Sequence, residues 1–137
     1  MKRLARGLAK HFQQMKLGFF HWTRFPFSHS RLTQSATEDL ASICADLRLR
    51  GIEHFVMHGT LLGLHRDGRL IPHDSDLDIA IMGPKHAIKV AGLMLRRGWR
   101  CGQIAWARGH VFHLTFYSKT RCLVDFEFFL VAGEHAY

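Results

Sequence analysis

The stretch from Asp76 to Met82 constrains the fold more than any other part of the chain, because its residues alternate between two faces. Its sequence, DLDIAIM, has the pattern of a β-strand. Successive side chains of a strand point in opposite directions, so Asp76 and Asp78 lie on the same face, with α-carbons roughly 6.5 to 7 Å apart. The chain is therefore expected to build a sheet that tolerates two like charges side by side.

The segment before this strand is predicted to hold one helix and one short strand. Ser35 and Glu38 have the spacing of a capping box, and the apolar residues that follow recur every three or four positions, so a helix is predicted over about 36–50. Gly51 ends that pattern, as glycine often does after a last helical turn. The apolar stretch at 54–57 then predicts a strand.

A second helix and a run of strands are predicted after the aspartate strand. Pro84 suits the first position of the helix, and Gly98 lies where a terminating glycine belongs. Apolar spacing predicts a buried stripe of Ile88, Gly92 and Leu95 on this helix. Three β-rich segments separated by short breaks are predicted to form a meander: 99–107, 110–118 and 121–131.

Length and composition favour one domain in a reducing compartment. The chain has 137 residues, 47% of them hydrophobic, enough for one core and too few for two ordinary domains. Its three cysteines lack paired spacing, which disfavours both a disulfide framework and a cysteine-rich zinc site. Charges interrupt every apolar run before the roughly 20 residues that a membrane-spanning helix needs, and no signal peptide is predicted. A cytoplasmic, unprocessed protein is therefore expected.

The net charge of +8 is concentrated at the N-terminus. Residues 1–34 contain seven basic residues and no acidic ones, whereas 35–137 contain 12 basic and 11 acidic residues. This division disfavours nucleic acid as a partner and predicts a basic amphipathic arm and linker at 1–34, followed by a domain at 35–137. Apolar residues recur through the arm at roughly helical spacing, up to Phe19 and Phe20. The arm is predicted to be helical, and residues 1–24 either pack on the domain or contact an anionic membrane surface or a partner protein.

The aspartate pair has two interpretations. Like charges on one face repel, so such a pair is tolerated where solvent screens it or where a divalent cation neutralises it. Hard oxygen ligands favour Mg²⁺ or Mn²⁺ over softer metals. Because an isolated Asp-x-Asp pair is more often a pair on an exposed strand than a metal site, the surrounding residues have to decide.

The segment from His58 to Ile81, HGTLLGLHRDGRLIPHDSDLDIAI, supplies that context. Gly59 ends a strand and Thr60 is a hydroxyl residue at the start of a helical turn, an arrangement whose backbone NH groups can hold phosphate oxygens. Arg66 follows one to two turns later and can pair with a phosphate in bidentate geometry. The segment therefore predicts phosphate binding by Gly59, Thr60 and Arg66.

The same segment resembles the LicD and fukutin-related group of the nucleotidyltransferase-fold superfamily. The resemblance rests on GTLLG, an arginine three residues later, the IP dipeptide and the aspartate pair. It implies an α/β (α+β) fold in which a small mixed β-sheet is flanked by helices, with Asp76 and Asp78 as metal ligands. This chain reads IPHDSDLD where bacterial members typically read IPWDDDID, so His73 and Asp74 are possible accessory residues.

The family also uses a third carboxylate on a later strand, in an apolar-Asp-apolar setting. Asp125, between Val124 and Phe126, matches that setting, and Glu127 lies on the same face two residues later. The resemblance therefore implies that the aspartate pair and Asp125 form the catalytic, metal-binding group, with Glu127 as an alternative occupant or a neighbour.

The resemblance implies a reaction as well. Members of the group move a phosphorylated alcohol, such as phosphocholine or ribitol phosphate, from a CDP-linked donor to a glycan or glycoconjugate. Two other hypotheses stay open: a minimal nucleotidyltransferase acting on another acceptor, and a catalytically idle or partner-dependent nucleotide-binding domain. Family enzymes generally carry further sequence after the third carboxylate, which keeps the idle domain in consideration.

Histidines are the remaining candidates for chemistry. His110 and His113 form an HxxH pair, but on a strand this spacing puts the two side chains on opposite faces, which disfavours a zinc site. Four further histidines surround the glycine and aspartate motifs: His54, His58, His65 and His73. Either one of these contacts nucleotide or acceptor, or all have structural roles.

Overall fold

The computed structural model describes residues 18–21, 35–119, 122–132 and 135–136, with side chains described for 35–119 and 122–130. In chain order the elements are β1 (Gly18–His21), α1 (Ala36–Leu49), β2 (His54–Val56), α2 (His58–Asp67), β3 (Asp76–Met82), a 3₁₀ helix (Pro84–His86), α3 (Ala87–Arg96), β4 (Arg100–Ala107), β5 (His110–Tyr117), β6 (Leu123–Phe129), β7 (Val131–Ala132) and β8 (His135–Ala136). The aspartate strand has the predicted bounds, and β4, β5 and β6 form the predicted meander.

The first six strands form one mixed sheet in the order β1-β4-β5-β6-β3-β2, while β7 and β8 pair separately. The pairing of β3 with β6 is parallel, and the other pairings are antiparallel. Alternation along β3 sends Leu77, Ile79 and Ile81 into the core, where all three are fully buried. Asp76 and Asp78 point to the other face. The predicted fold class, a mixed sheet flanked by helices, is confirmed.

Helix α1 covers the apolar face of the sheet. Its buried residues recur at helical spacing and join the core cluster: Ala36, Leu40, Ile43 and Leu47. The helix ends as predicted, because Gly51 adopts a left-handed φ of 62° that a residue with a side chain rarely takes. The predicted capping box is wrong, since Ser35 is the N-cap residue but its side chain makes no capping hydrogen bond.

Helix α3 packs on the same apolar face, but through a different side than predicted. Ile88 is 86% exposed and Leu95 is 57% exposed, so the predicted stripe of these residues and Gly92 points outward. The residues that are buried instead are Ala87, Val90, Leu93 and Met94. Both stripes satisfy helical spacing, and the buried one removes more apolar surface from water because Gly92 has no side chain to bury.

The predicted helical arm is wrong at its described residues. Gly18–His21 forms strand β1, which pairs with β4 at the edge of the sheet. Residues 1–17 and 22–34 lie outside the described residues, so the rest of the arm and the domain boundary at residue 35 stay predictions. In the described parts of the chain, no helix is both long enough and apolar enough to cross a membrane.

Candidate functional site

Three carboxylates converge on the face of the sheet that points away from α1 and α3. Strands β3 and β6 are parallel neighbours, and their register places Asp78 directly opposite Asp125. Asp76 lies two residues before Asp78 on the same face, and one oxygen from each of the three residues lies within 4.8 Å of the other two. Asp76, Asp78 and Asp125 can therefore hold a metal ion together.

Partial burial, together with nearby negative charge, opposes the ionisation of Asp76 and Asp78. Partial burial raises the pKa of Asp78 to about 6, and the charges of Asp76 and Asp125 contribute to this rise. Burial also raises the pKa of Asp76, again with a contribution from Asp125. Ionisation of Asp76 and Asp78 is therefore unfavourable without a counter-charge, which is the electrostatic condition under which a divalent cation binds well.

This condition predicts how the stability of the metal-free protein depends on pH. Because the folded-state pKa of Asp78 lies above its unfolded value, the folded protein favours the protonated carboxyl. The stability that this protonation contributes is complete below about pH 4 and is lost as the pH rises through about 6. The pKa shift of Asp78 corresponds to at most about 3 kcal/mol in the free energy of unfolding, and partial solvent screening reduces this to roughly 1–2 kcal/mol. Asp78→Asn should therefore stabilise the metal-free protein at about pH 8 by roughly that amount.

Urea unfolding in the presence of a chelator measures this effect. The stabilisation by Asp78→Asn should shrink as the pH is lowered from about 8 toward about 4, where the wild-type carboxyl is protonated. An asparagine variant that is less stable than the wild type at the higher pH would contradict the expectation.

Thr60 holds the start of α2 against the aspartate strand. Its side chain is buried, and its Oγ1 accepts a hydrogen bond of 2.9 Å from the backbone NH of Asp78. The backbone NH of Met57 donates to the carbonyl of the same aspartate at 3.1 Å. The Thr60 hydroxyl is thus used to position Asp78, and phosphate binding at this turn would have to use backbone NH groups, which have no intrahelical acceptors in the first turn.

Gly59 lies against Asp74. A Cβ atom added to Gly59 would clash with Oδ2 of Asp74, so the glycine allows this carboxylate to approach the first turn of α2. The other oxygen of Asp74 accepts a hydrogen bond of 2.9 Å from the backbone NH of Ser75, whose hydroxyl donates to Asp76 at 3.2 Å. Asp74 therefore lies beside the carboxylate group, while His73, the preceding residue, is exposed.

Arg66 lies in the last turn of α2, at the opposite end of the helix from Gly59. Its Nε and Nη2 atoms donate to the two carboxylate oxygens of Asp67 at 3.0 and 2.8 Å. Both side chains are exposed to solvent to a substantial degree. The guanidinium is thus engaged by a neighbour in the chain, and its role in phosphate binding stays a prediction.

Glu127, the alternative third carboxylate, has a different partner. Its Oε1 lies 3.1 Å from Nε2 of His58, the residue at the start of α2. His58 adopts a φ of 47°, a left-handed conformation that is uncommon for residues other than glycine. Glu127 and His58 therefore form a pair next to the three aspartates, and Glu127 does not belong to the group whose oxygens converge.

Two residues beside Asp125 were not anticipated from the sequence. The Thr115 hydroxyl, which is buried, donates to Asp125 Oδ1 at 2.5 Å. His113 Nε2 lies 2.9 Å from the Thr115 Oγ1 and 3.4 Å from the same carboxylate oxygen. Its hydrogen bond with Asp125, reinforced by the negative charge there, raises the pKa of His113. The HxxH pair is thus divided, since His113 lies at the site and His110 is exposed.

These contacts predict that Thr115 controls metal affinity by holding Asp125 in place. Thr115→Val removes the hydroxyl with little change in shape and should weaken Mn²⁺ binding by about 10- to 100-fold. Thr115→Ser keeps the hydroxyl and should keep most of the affinity. Calorimetric titration with Mn²⁺ measures both, and melting temperatures show whether each variant is folded. Wild-type Mn²⁺ affinity in a folded valine variant would show that Thr115 is only a packing residue.

The mixed sheet, the first turn of α2 and the convergent carboxylates define a nucleotidyltransferase-like fold. The structure of ANT(2″)-Ia in complex with adenylyl-2″-tobramycin is similar to this chain, with a TM-score of 0.55 and 17% sequence identity. The similarity covers 75% of this chain and 55% of that one, so the chain spans about half the length of this structural neighbour.

The sequence assigns the chain more narrowly. The model of the LicD/FKTN/FKRP nucleotidyltransferase domain matches residues 51–135, well over half of the chain. The protein therefore belongs to the LicD/FKTN/FKRP family, as its resemblance in the glycine and aspartate motifs predicted. No curated protein matches the chain in a direct sequence comparison. Family and fold together identify the chain as a nucleotidyltransferase-type domain of this family.

Proposed function

We propose that this protein is a metal-dependent phosphotransferase that moves a phosphorylated alcohol, such as phosphocholine or ribitol phosphate, from a CDP-linked donor to a glycan or glycoconjugate. The observation that carries the proposal is the convergence of Asp76, Asp78 and Asp125 within a chain of the LicD/FKTN/FKRP family. Such a cluster suits a reaction in which phosphate charge has to be neutralised.

The donor set favours Mg²⁺ or Mn²⁺. All three groups are carboxylates, and hard oxygen ligands match these cations better than softer metals. The neighbouring His58 is paired with Glu127, and His113 contacts Thr115 and Asp125. The three aspartates are thus left as a site of oxygen ligands. A bound cation would neutralise the donor phosphates and lower the pKa of the attacking hydroxyl.

Beyond charge neutralisation, the protein has to position the donor and the acceptor and to accept one proton from the acceptor hydroxyl. The acceptor hydroxyl oxygen forms a bond to the phosphorus that carries the alcohol, the bond from that phosphorus to the CMP oxygen breaks, and CMP leaves. Asp76 and Asp78 would hold the cation. Asp125 would either hold it as well or accept the hydroxyl proton. The backbone NH groups of Gly59 and Thr60 bind the departing phosphate, and Arg66 can assist if it exchanges Asp67 for phosphate.

Incubation with a CDP-linked alcohol tests the proposal. CDP-choline or CDP-ribitol, Mg²⁺ and a glycan acceptor should yield CMP and a phosphodiester-linked glycan, both visible by phosphorus NMR. CMP should not form with a chelator present. Failure to bind either CDP-linked donor in the presence of Mg²⁺ or Mn²⁺ would contradict the proposal.

A second candidate is nucleotidyl transfer to another acceptor, with CDP-linked donors unused. The similarity in fold to a structure that holds adenylyl-2″-tobramycin supports this second candidate function. Under this alternative, nucleoside triphosphates should be consumed with release of pyrophosphate, and the acceptor should gain a nucleotide instead of a phosphoalcohol. A domain that binds nucleotide without turnover would give neither product while still being stabilised by nucleotide and metal.

A further inference from the structure

The charges of the domain are segregated, although they nearly balance in total. Between Asp78 and Asp125 the chain contains no acidic residue. It contains eight basic residues over the same stretch: Lys85, Lys89, Arg96, Arg97, Arg100, Arg108, Lys119 and Arg121. The acidic residues precede and follow this stretch. The surface built by α3 is therefore positive even though 35–137 as a whole is close to neutral.

The outward side of α3 combines such cations with exposed aliphatic side chains. We define the outer α3 face as Lys85, Ile88, Lys89, Leu95 and Arg96. Ile88 is 86% exposed and Leu95 is 57% exposed, and the three basic residues are exposed as well. Aliphatic side chains this exposed contribute little to the stability of the fold, because folding removes little of their apolar surface from water.

Arg97 shows how the inner side of the helix differs from this face. Its Nη1 donates to Asp46 of α1 at 2.5 Å and its Nη2 donates to Ser42 at 2.7 Å, so its charge is neutralised between the two helices. In the described parts of the chain, by contrast, no carboxylate pairs with Lys85, Lys89 or Arg96. As far as the described residues go, the cations of the outer α3 face are exposed and can meet an external anionic surface.

A further exposed aliphatic residue lies at the end of the neighbouring helix. Leu49, in the last turn of α1, is 84% exposed. Gly51, two residues later, lines one cavity together with Lys85 and Ile88, so the end of α1 adjoins the start of α3. Glu53 also lines this cavity. The exposed aliphatic surface therefore extends from α3 toward the end of α1.

We propose that the outer α3 face docks on the surface of an anionic lipid bilayer. Its cations match anionic headgroups, and its aliphatic side chains can enter the interface between headgroups and acyl chains. Nucleic acid offers phosphates to the cations but no apolar phase to Ile88 and Leu95. The carboxylate group lies on the opposite face of the sheet, so docking leaves the candidate active site turned away from the lipid.

Vesicle binding tests this proposal without any assumption about catalysis. The full chain should sediment with vesicles made of equal parts of phosphatidylglycerol and phosphatidylcholine, but not with phosphatidylcholine alone. Ile88→Ser combined with Leu95→Ser should weaken binding by about tenfold or more. Lys85→Gln combined with Lys89→Gln should weaken it by about fivefold per cation at low salt. Because all four side chains are exposed, the variants should keep the wild-type melting temperature.

Matched controls separate this surface from general hydrophobicity and charge. Leu62 on α2 is 50% exposed, close to the value for Leu95, so Leu62→Ser removes a similar side chain elsewhere. Lys119→Gln removes an exposed cation from the turn between β5 and β6. Both controls should bind vesicles like the wild type. Undiminished binding by the α3 variants would overturn the proposal, whether or not residues 1–34 also bind lipid, and so would binding of RNA but not of anionic vesicles.

Discussion

Replacing both Asp76 and Asp78 by asparagine is expected to abolish the stabilisation of this protein by Mg²⁺ and a CDP-linked donor. In the wild type, a ligand at about 100 times its Kd should add about 2.7 kcal/mol to the free energy of unfolding. The double variant lacks two of the three carboxylates whose oxygens converge within 4.8 Å, so it should show no shift in melting temperature. Phosphoalcohol transfer should disappear with it.

The same variant should be more stable than the wild type when no metal is present. The pKa values of both aspartates are raised in the folded protein, which means that their charges oppose folding near neutral pH. A variant that gains intrinsic stability while losing its response to metal is folded, so misfolding cannot explain the loss. Glu53→Gln removes an exposed carboxylate just before the edge strand β2 and should leave the metal response intact. A metal response that survives in the double variant would refute the site.

Gly63→Ala is expected to destabilise the protein by roughly 1–3 kcal/mol, the range typical of overpacking. Gly63 is buried in α2, and an added Cβ would lie 2.7 Å from the carbonyl oxygen of Arg69 and 3.0 Å from the backbone nitrogen of Ile71. Backbone atoms cannot rotate away as a side-chain terminus can. The second glycine of GTLLG thus lets the segment that leads back to β3 pass close to the helix.

Gly92→Ala provides the matched control, because it is the same substitution in another helix. A Cβ at Gly92 would meet only the guanidinium of Arg96, at an ordinary contact distance of 3.4 Å. Alanine is the better helix former by up to about 1 kcal/mol, so this substitution should stabilise the protein. Urea unfolding of both variants measures the two effects. Changes of the same sign would show that helix propensity dominates at Gly63 and that the close backbone approach is unimportant.

Local patterns were sufficient for much of the fold. The bounds of β3 follow from alternation over seven residues, and the end of α1 follows from Gly51. The family was recognisable from the glycine turn and the aspartate pair, because both motifs lie within one short segment of the sequence. These features depend on neighbours only a few positions apart in the chain, where spacing directly determines which side chains share a face.

Long-range register decided what these patterns left open. Asp125 and Glu127 share one face of β6, and only the parallel pairing with β3 places Asp125 opposite Asp78 and moves Glu127 beside Ala80. Thr115 reaches Asp125 through the pairing of β5 with β6, a contact that periodicity within either strand does not reveal.

The orientation of α3 was decided in the same way. Two stripes of this helix satisfy helical spacing, and packing against the sheet chose the one that removes more apolar surface from water. Spacing along one segment determines which residues lie together on a face, but packing between distant segments determines where that face points. That is why the aspartate pair was evident from its own strand, whereas its third partner and the exposed face of α3 required the folded chain.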